Sequence, residues 1–230
     1  MSPLNKSHSV PLLCYVTDRR GLAAAKPAEE RQMVLGKIAA AVAAGVDWIQ
    51  IREKDLSGRE SSMLTREAAQ LLPDSAARKG VHQRILVNDR LDVGLAAQAG
   101  GVHLGEQSLP PEEARRLVRS LQRENDFLIG VSCHSLEAAK NAEQKDADYL
   151  FFGPVFATPS KAKDGAPQGL ERLGEVCRAV GLPVLAIGGI TLENAAACFS
   201  AGAAGIAAIR LFQDAPDVAA LVSGLRKLSI

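Results

Sequence analysis

Three long polar side chains occupy every second position where a short apolar segment of the chain ends. Gln50, Arg52 and Lys54 have this spacing, and the residues that lead into them, 46–51, are largely apolar. In an extended segment alternate side chains project from the same face, so the sequence predicts that the three point in one direction. Two cations and an amide directed together suit an anion that carries several phosphate oxygens. The competing interpretation is a strand end that opens into solvent.

Other side chains and glycines that could bind phosphate or metal follow later apolar segments in the same way. They are Asn88, Asp89, Ser132, Thr158, Ser160, Lys161, Gly188 and Gly189. Hydroxyl groups and a lysine offer donors to phosphate, and glycine lets a backbone N–H approach a ligand closely. Asp89 could bind Mg²⁺, which pairs one or two carboxylates with substrate oxygens, although an Asn-Asp pair is also common in turns. His103 and His134 are interpreted as hydrogen-bonding residues without a catalytic role.

The apolar segments that would position these residues alternate with helical patterns along the chain. The predicted strands are 10–17, 46–51, 84–88, 101–104, 127–131, 149–152, 183–187 and 205–209. Most lack polar alternation, which is typical of parallel strands that are covered on both faces. Apolar residues recur at helical spacing in Val34, Ile38 and Val42, in Ala114, Leu117, Val118 and Leu121, and in Val218, Leu221, Val222 and Leu225. Alanine-glycine phrases at 44–46, 99–102 and 201–206 are predicted to end helices with a left-handed glycine.

Eight strand–helix units without an antiparallel signal predict an α/β protein with a single closed (β/α)8 TIM barrel. Residues 10–230 would form this one domain, and residues 1–9 are expected to be a flexible tail. The alternative architecture is an open, doubly wound sheet. In a barrel the working face lies at the carboxyl ends of the strands, so the candidate residues would converge there.

Charge and cysteine content narrow the function classes. The formal net charge is +1 and no long run of one sign occurs, which argues against a nucleic-acid or membrane-surface partner. No segment has the length and apolarity of a membrane span. Four cysteines lie far apart in the sequence, without metal-ligand spacing, which favours free thiols in a reducing compartment. We therefore expect a cytoplasmic protein, and a homodimer is compatible with the sequence.

Taken together, the motifs resemble those of the thiamine phosphate synthase family, a family of (β/α)8 barrels. The matching segments occur in the same order as in the family and extend from about residue 12 to 212. They are residues 49–54, 87–89, 101–105, 130–132, 152–156, 158–161 and 186–190. The resemblance implies a transferase that joins a hydroxymethylpyrimidine diphosphate to a thiazole phosphate, releasing pyrophosphate and forming thiamine monophosphate.

The resemblance also implies a role for each matching position. The pyrimidine diphosphate would be held by Gln50, Arg52, Lys54, Asn88, Ser132 and Lys161. Of these, Arg52, Lys54 and Lys161 would act as catalytic residues, because fixed cations stabilise a leaving pyrophosphate as it gains charge. The thiazole phosphate would be held by Thr158, Ser160 and the N–H of Gly189. Ile209 and Arg210 are further candidate substrate-binding residues. Asp89 would bind Mg²⁺ on the pyrophosphate.

Two positions depart from the family pattern. Ser108 stands where the family carries a second metal-binding aspartate, which should weaken Mg²⁺ binding unless Glu106 or the diphosphate compensates. Arg210 stands where the family usually places a phosphate-binding serine, and an arginine there could grip phosphate more strongly or fill the pocket.

These departures keep two other functions open. The chain is also similar to thiazole tautomerases, which share the barrel and isomerise a thiazole phosphate carboxylate, notably in residues 134–138 and 147–156. Those isomerases use a histidine where this chain has Pro154. A non-catalytic barrel that binds a phosphorylated ligand and regulates a partner is the third alternative.

Overall fold

The computed structural model describes residues 10–22, 27–73, 83–158 and 166–228. Its strands are β1 Leu12–Val16, β2 Trp48–Ile51, β3 Arg84–Asn88, β4 Gly101–Leu104, β5 Leu128–Cys133, β6 Tyr149–Phe152, β7 Val184–Ile187 and β8 Gly205–Ala208. Its α-helices are α1 Pro27–Ala43, α2 Gly58–Gln70, α3 Leu91–Ala96, α4 Pro111–Ser120, α5 Leu136–Gln144, α6 Gly169–Ala179, α7 Leu192–Ser200, α8 Arg210–Gln213 and α9 Val218–Lys227. The expected tail at residues 1–9 lies outside the described residues.

All eight strands are parallel, and each pairs with the next until β8 pairs with β1. This closed cylinder confirms the predicted TIM barrel and rules out the open sheet. The strand boundaries differ from the prediction by at most two residues at either end. The largest extension is at β5, which runs to Cys133, so that Ser132 lies within a strand instead of in the loop that follows it.

The strands are apolar on both faces because each face packs against a different layer. One set of alternate residues fills the interior of the cylinder: Leu12, Cys14, Val16, Trp48, Leu86, Leu128, Tyr149, Phe151, Leu185 and Ala207. The opposite set packs under the surrounding helices in the largest apolar cluster, for example Leu13, Tyr15 and Ile49. This arrangement is the usual one for a small barrel, whose centre is a packed core and not a pore.

Helix α4 does not bury the stripe that its sequence predicts. Ala114 and Val118 are buried, but Leu117 and Leu121 are 50% and 56% exposed. The helix is rotated so that Arg115 faces inward, where its Nη2 donates to Asp148 Oδ2 at 2.5 Å. A buried carboxylate that needs a cationic partner therefore overrides the apolar pattern.

Two of the three predicted helix stops use glycine, and one does not. Gly45 and Gly202 have φ of +87° and +98°, as expected for a left-handed helix end. In the phrase at 99–102 the left-handed residue is instead Gln98, with φ +56°. All four cysteines are free, as predicted, and all four are buried. None of the described helices combines the length and apolarity that crossing a bilayer requires.

Candidate active site

The interior of the barrel changes from apolar to polar toward the carboxyl ends of its strands. In β2, Gln50 is two residues beyond Trp48, and in β3, Asn88 is two residues beyond Leu86, so both continue the inward-facing series. Gln50 is buried, and its Nε2 donates to Asn88 Oδ1 at 3.0 Å. The structure therefore brings together two side chains that the family resemblance assigned to the same ligand.

A second buried polar group lies in β4, β5 and β6. The two ring nitrogens of His103 are 3.1 Å from Tyr149 Oη and 2.9 Å from Ser132 Oγ. Burial, and to a smaller extent the positive charge of Arg52, lowers the pKa of His103 to about 3. The charge of Arg52, at the end of β2, therefore acts on the polar interior of the barrel. His103 is thus a neutral hydrogen-bonding residue, as predicted.

The segment after β2 is held by the carboxylate of Glu53, which is buried while its neighbours Arg52 and Lys54 are more exposed. Glu53 accepts hydrogen bonds from Thr17 Oγ1 at 2.6 Å and from the backbone N–H and Nη1 of Arg19 at 3.1 and 3.2 Å. Thr17 Oγ1 in turn accepts from the backbone N–H of Arg52 at 3.0 Å. We call Thr17, Arg19 and Glu53 the Glu53 clasp. It joins the ends of β1 and β2.

Because β2 ends at Ile51, the strict alternation expected through Lys54 stops earlier, and Lys54 lies in a turn. Arg52 and Lys54 nevertheless line one cleft of about 260 Å³, together with Asp18, Arg20, Glu53 and Asp55. Hydrogen bonds from Arg19 hold the pKa of Asp55 well below its usual range, so this carboxylate stays ionised beside the cations. The cleft is polar, mixed in charge and open to solvent.

The expected metal ligand Asp89 is exposed and directly follows β3. Its backbone has the left-handed φ of +65°, and its N–H donates to His103 O at 2.8 Å, so the Asn-Asp pair forms a turn as well. Glu106 Oε1 accepts from the N–H of His134 at 2.9 Å, and Ser108 Oγ accepts from the N–H of Gly105 at 2.7 Å. Among the described residues no group of three or more histidine, cysteine, aspartate or glutamate side chains could hold a metal ion. Asp89 would therefore need oxygens from a ligand to complete an Mg²⁺ site, which is how this cation commonly binds.

The predicted thiazole phosphate residues lie at the ends of β6, β7 and β8. Gly188 and Gly189 both have positive φ, and a Cβ on Gly189 would lie 2.5 Å from Ala157 O. The seventh loop thus packs directly against the segment that leads into Thr158, which leaves no room for a side chain at position 189. Ile209 follows β8 and the exposed Arg210 begins α8. Ser160 and Lys161 lie outside the described residues.

Sequence reasoning missed the Glu53 clasp and Tyr149. The spacing of Glu53 could have indicated a different role from that of its neighbours, because a residue between Arg52 and Lys54 in an extended segment points to the other face. Tyr149 gave no such signal, since its position at the start of β6 and its apolar neighbours are those of an ordinary core residue.

A closed parallel barrel whose polar donors and cations collect at the carboxyl ends of the strands defines a (β/α)8 barrel of the enzyme type. The chain belongs to the thiamine monophosphate synthase family, which matches residues 22–212.

Individual relatives agree with this family. Thiamine phosphate pyrophosphorylase from Pyrococcus furiosus has the same fold, with a TM-score of 0.77 and 34% identity, over 97% of this chain and 96% of its own. A putative thiamine-phosphate synthase of Geobacter sulfurreducens is 42% identical over 184 residues, or 80% of this chain and 81% of its own. The thiamine-phosphate synthase of Moorella thermoacetica is 41% identical over 188 residues, 82% of this chain and 84% of its own.

Proposed function

We propose that this protein is a thiamine-phosphate synthase. It joins 4-amino-2-methyl-5-(diphosphooxymethyl)pyrimidine to a thiazole phosphate, with release of pyrophosphate. Membership of the family supports this function, as does its agreement with the activities for which the relatives are named. The observation that carries it in the structure is the joint position of the Gln50–Asn88 pair, the His103–Ser132 pair and Arg52 at one end of the barrel.

The reaction needs an environment that stabilises a departing dianion and no nucleophilic side chain. As the C–O bond to the pyrimidine methylene breaks, negative charge grows on the pyrophosphate, and the amino-pyrimidine delocalises the positive charge left behind. The thiazole nitrogen then attacks the methylene carbon. Arg52, Lys54 and Lys161 supply cations whose attraction is strongest in this transition state, which is the condition for a higher kcat.

Neutral donors orient the pyrimidine diphosphate beside these cations. Gln50 and Asn88 present amide groups, and Ser132 presents a hydroxyl, all from strands of the rigid barrel. Side chains on strands lose little conformational freedom when a ligand binds, so they fix the reacting methylene within reach of the thiazole.

Bound Mg²⁺ would neutralise charge on the pyrophosphate and would be held by Asp89. The exposed Asp89 carboxylate makes no hydrogen bond or ion pair with another described side chain, and it is thus available to a metal. Glu106 is less available, because one of its oxygens already accepts from His134.

The thiazole phosphate would bind across the loops after β6, β7 and β8. The close contact of Gly189 with Ala157 brings the seventh loop against the segment that leads into Thr158, which supports a shared site for the Gly189 N–H and the Thr158 hydroxyl. Ser160, Ile209 and Arg210 complete the proposed site. Arg210 is exposed at the start of α8, where its guanidinium can reach a phosphate without filling the barrel interior.

Pyrophosphate release on mixing the protein with both phosphorylated rings and Mg²⁺ tests the proposal directly. We expect release in wild-type protein, and a loss of roughly a hundredfold in kcat/KM for Arg52→Ala and for Lys161→Ala. Exchange of a thiazole ring proton without pyrophosphate release would instead identify an isomerase. Tight binding of the phosphates without either reaction would identify a regulatory barrel.

We also propose that the enzyme acts in the cytoplasm as a homodimer. The four free, buried thiols support a reducing compartment. Leu117 on α4 and Leu121 directly after it are the most exposed of the described large apolar side chains, and burial of such residues would favour a dimer. Light scattering of the wild type and of Leu117→Glu would test the dimer, with a monomeric wild type counting against it.

A further inference from the structure

A continuous hydrogen-bonded chain of three side chains runs from the buried interior of the barrel to its mouth. Tyr149 is fully buried, His103 is 2% exposed, and Ser132, near the end of β5, is partly open to solvent. The imidazole Nδ1 lies 3.1 Å from Tyr149 Oη and Nε2 lies 2.9 Å from Ser132 Oγ. The order along the chain is therefore phenol, imidazole and hydroxyl.

The phenol is fixed in place by its packing. A Cβ on Gly130 would lie 2.0 Å from Tyr149 Cζ, so the ring occupies the space that any side chain at 130 would need. The Trp48 ring packs against it with centroids 4.7 Å apart, and Phe151 packs against His103 at 4.0 Å. Within the described residues, the only hydrogen-bond partner of the Tyr149 hydroxyl is Nδ1 of His103. Burial raises the pKa of Tyr149 well above its usual range, so the hydroxyl keeps its proton.

These facts decide the direction of both hydrogen bonds. The His103 ring is 2% exposed and both of its nitrogens contact hydroxyl groups, with no carboxylate among its described hydrogen-bond partners to stabilise a positive charge, so the ring is neutral and carries a single N–H. A proton on Nδ1 would leave the Tyr149 hydroxyl proton buried without an acceptor, which is a costly arrangement. With the proton on Nε2, Tyr149 donates to Nδ1 and Nε2 donates to Ser132, so every group is satisfied.

We propose that Tyr149 and His103 are positioning residues that make Ser132 a hydrogen-bond donor toward the mouth of the barrel. Ser132 accepts from His103, and its own proton is left to point outward. Phosphate oxygens are acceptors only, so a serine that donated inward would turn lone pairs toward the anion and repel it. This inference rests on the proposed function for the identity of the ligand, but the direction of the hydrogen bonds does not depend on it.

The tautomer of His103 can be measured without any substrate. In uniformly ¹⁵N-labelled protein, two-bond ¹H–¹⁵N correlation spectra distinguish the protonated from the unprotonated ring nitrogen of a neutral histidine. The chain has four histidines, and the His103 signals are those missing from a His103→Asn variant. We expect the Nε2–H form in wild-type protein. A dominant Nδ1–H form, or a charged ring at neutral pH, would overturn the proposal.

Kinetic coupling tests whether Tyr149 acts through Ser132. Tyr149→Phe keeps the ring and removes only the hydroxyl, and we expect roughly a tenfold lower kcat/KM for the pyrimidine diphosphate. In a Ser132→Ala background the same substitution should cause no further loss, because the group it orients is already gone. Equal losses in both backgrounds would refute the proposal, and so would wild-type kinetics in Ser132→Ala.

Tyr15→Phe is the matched control. The Tyr15 hydroxyl is also buried and donates to Gln213 Oε1 at 3.1 Å, but it lies on the outer face of β1, away from Ser132. Its effects and those of Ser132→Ala should multiply independently. If wild-type protein releases no pyrophosphate the proposed function fails, whereas the tautomer measurement still decides the proton direction.

Discussion

The Glu53 clasp provides the sharpest test of how the structure positions Arg52. Glu53→Gln keeps the size of the side chain and removes its charge. An amide oxygen at the Oε1 position can still accept from Thr17 and from the backbone N–H of Arg19. The amide NH₂ at the Oε2 position would face Nη1 of Arg19, which the carboxylate now accepts at 3.2 Å. One charge-assisted hydrogen bond is therefore replaced by a contact between two donors.

The structure allows an estimate of the loss of stability. The side chains of Glu53 and Arg19 are 2% and 12% exposed, so solvent screens their interaction poorly. Arg19 keeps its ion pairs with Asp55 and Glu30, so its charge is not left alone, and the full cost of breaking a buried pair does not apply. We expect the free energy of unfolding to fall by about 2 kcal/mol, the typical value for a hydrogen bond to a charged group. For a domain of this size that lowers Tm by roughly 4–8 °C.

The activity of Glu53→Gln should fall as well, because the Glu53 clasp holds the backbone of Arg52 in place. The N–H of Arg52 donates to Thr17 Oγ1, and that hydroxyl donates to Glu53. Loosening this link lets the guanidinium move away from the departing pyrophosphate, and small displacements of a catalytic group are costly. We expect kcat/KM to fall by about tenfold at a temperature well below Tm, with most of the loss in kcat.

Steady-state pyrophosphate release and differential scanning calorimetry measure the two effects. Glu67→Gln is the matched control, since it removes the same charge from the exposed ion pair between Glu67 on α2 and Arg31 on α1. Its unfolding free energy should change by less than about 1 kcal/mol, and its kinetics should not change. If Glu53→Gln lost stability but kept wild-type kcat and KM, the clasp would be a structural feature only. Unchanged stability would show that the Oε2 bonds contribute nothing.

Three further results are expected. Ser108→Asp should raise Mg²⁺ affinity in a titration of pyrophosphate release if position 108 faces the metal, and an unchanged titration would place the metal elsewhere. The folded pKa of His103, about 3, lies below its ordinary value of 6.5, so the unfolded chain binds a proton in this window that the folded chain does not. The contribution of the neutral His103 to stability is thus fully present above pH 6.5 and is lost as the pH falls toward 3. In urea unfolding, the free energy of unfolding of His103→Asn should therefore change less steeply with pH than that of the wild type, by up to about 1.4 kcal/mol per pH unit. Asp148→Ala should lower the free energy of unfolding in urea by about 3–5 kcal/mol, because the buried Arg115 loses its ion-pair partner. We expect kcat/KM to stay unchanged, because Asp148 precedes β6 at the end of the barrel opposite the mouth, and a selective loss of kcat/KM would contradict that placement.

Local sequence patterns predicted the barrel and the polar side chains at the ends of β2 and β3. The assignment of Gln50 and Asn88 to one ligand came from the family resemblance. Spacing predicted that they lie at the same end of the barrel, because strand side chains alternate and parallel strands bring their carboxyl ends together. The same reasoning failed at α4, where Leu117 and Leu121 are exposed and Arg115 is buried. Helical spacing shows which residues share a face, but it does not show that a carboxylate 33 positions away requires the arginine on that face.

The sequence by itself determined the order of strands and helices, the buried faces of most of them, and the end of the barrel where the candidate phosphate-binding side chains collect. These follow from periodicity, which acts over a few residues. Only the tertiary structure decided that Glu53 is held by Thr17 and Arg19, and that Tyr149 reaches Ser132 through His103. Those hydrogen bonds join residues 29 to 46 positions apart in the chain, and their energies depend on burial and distance, which no local pattern contains.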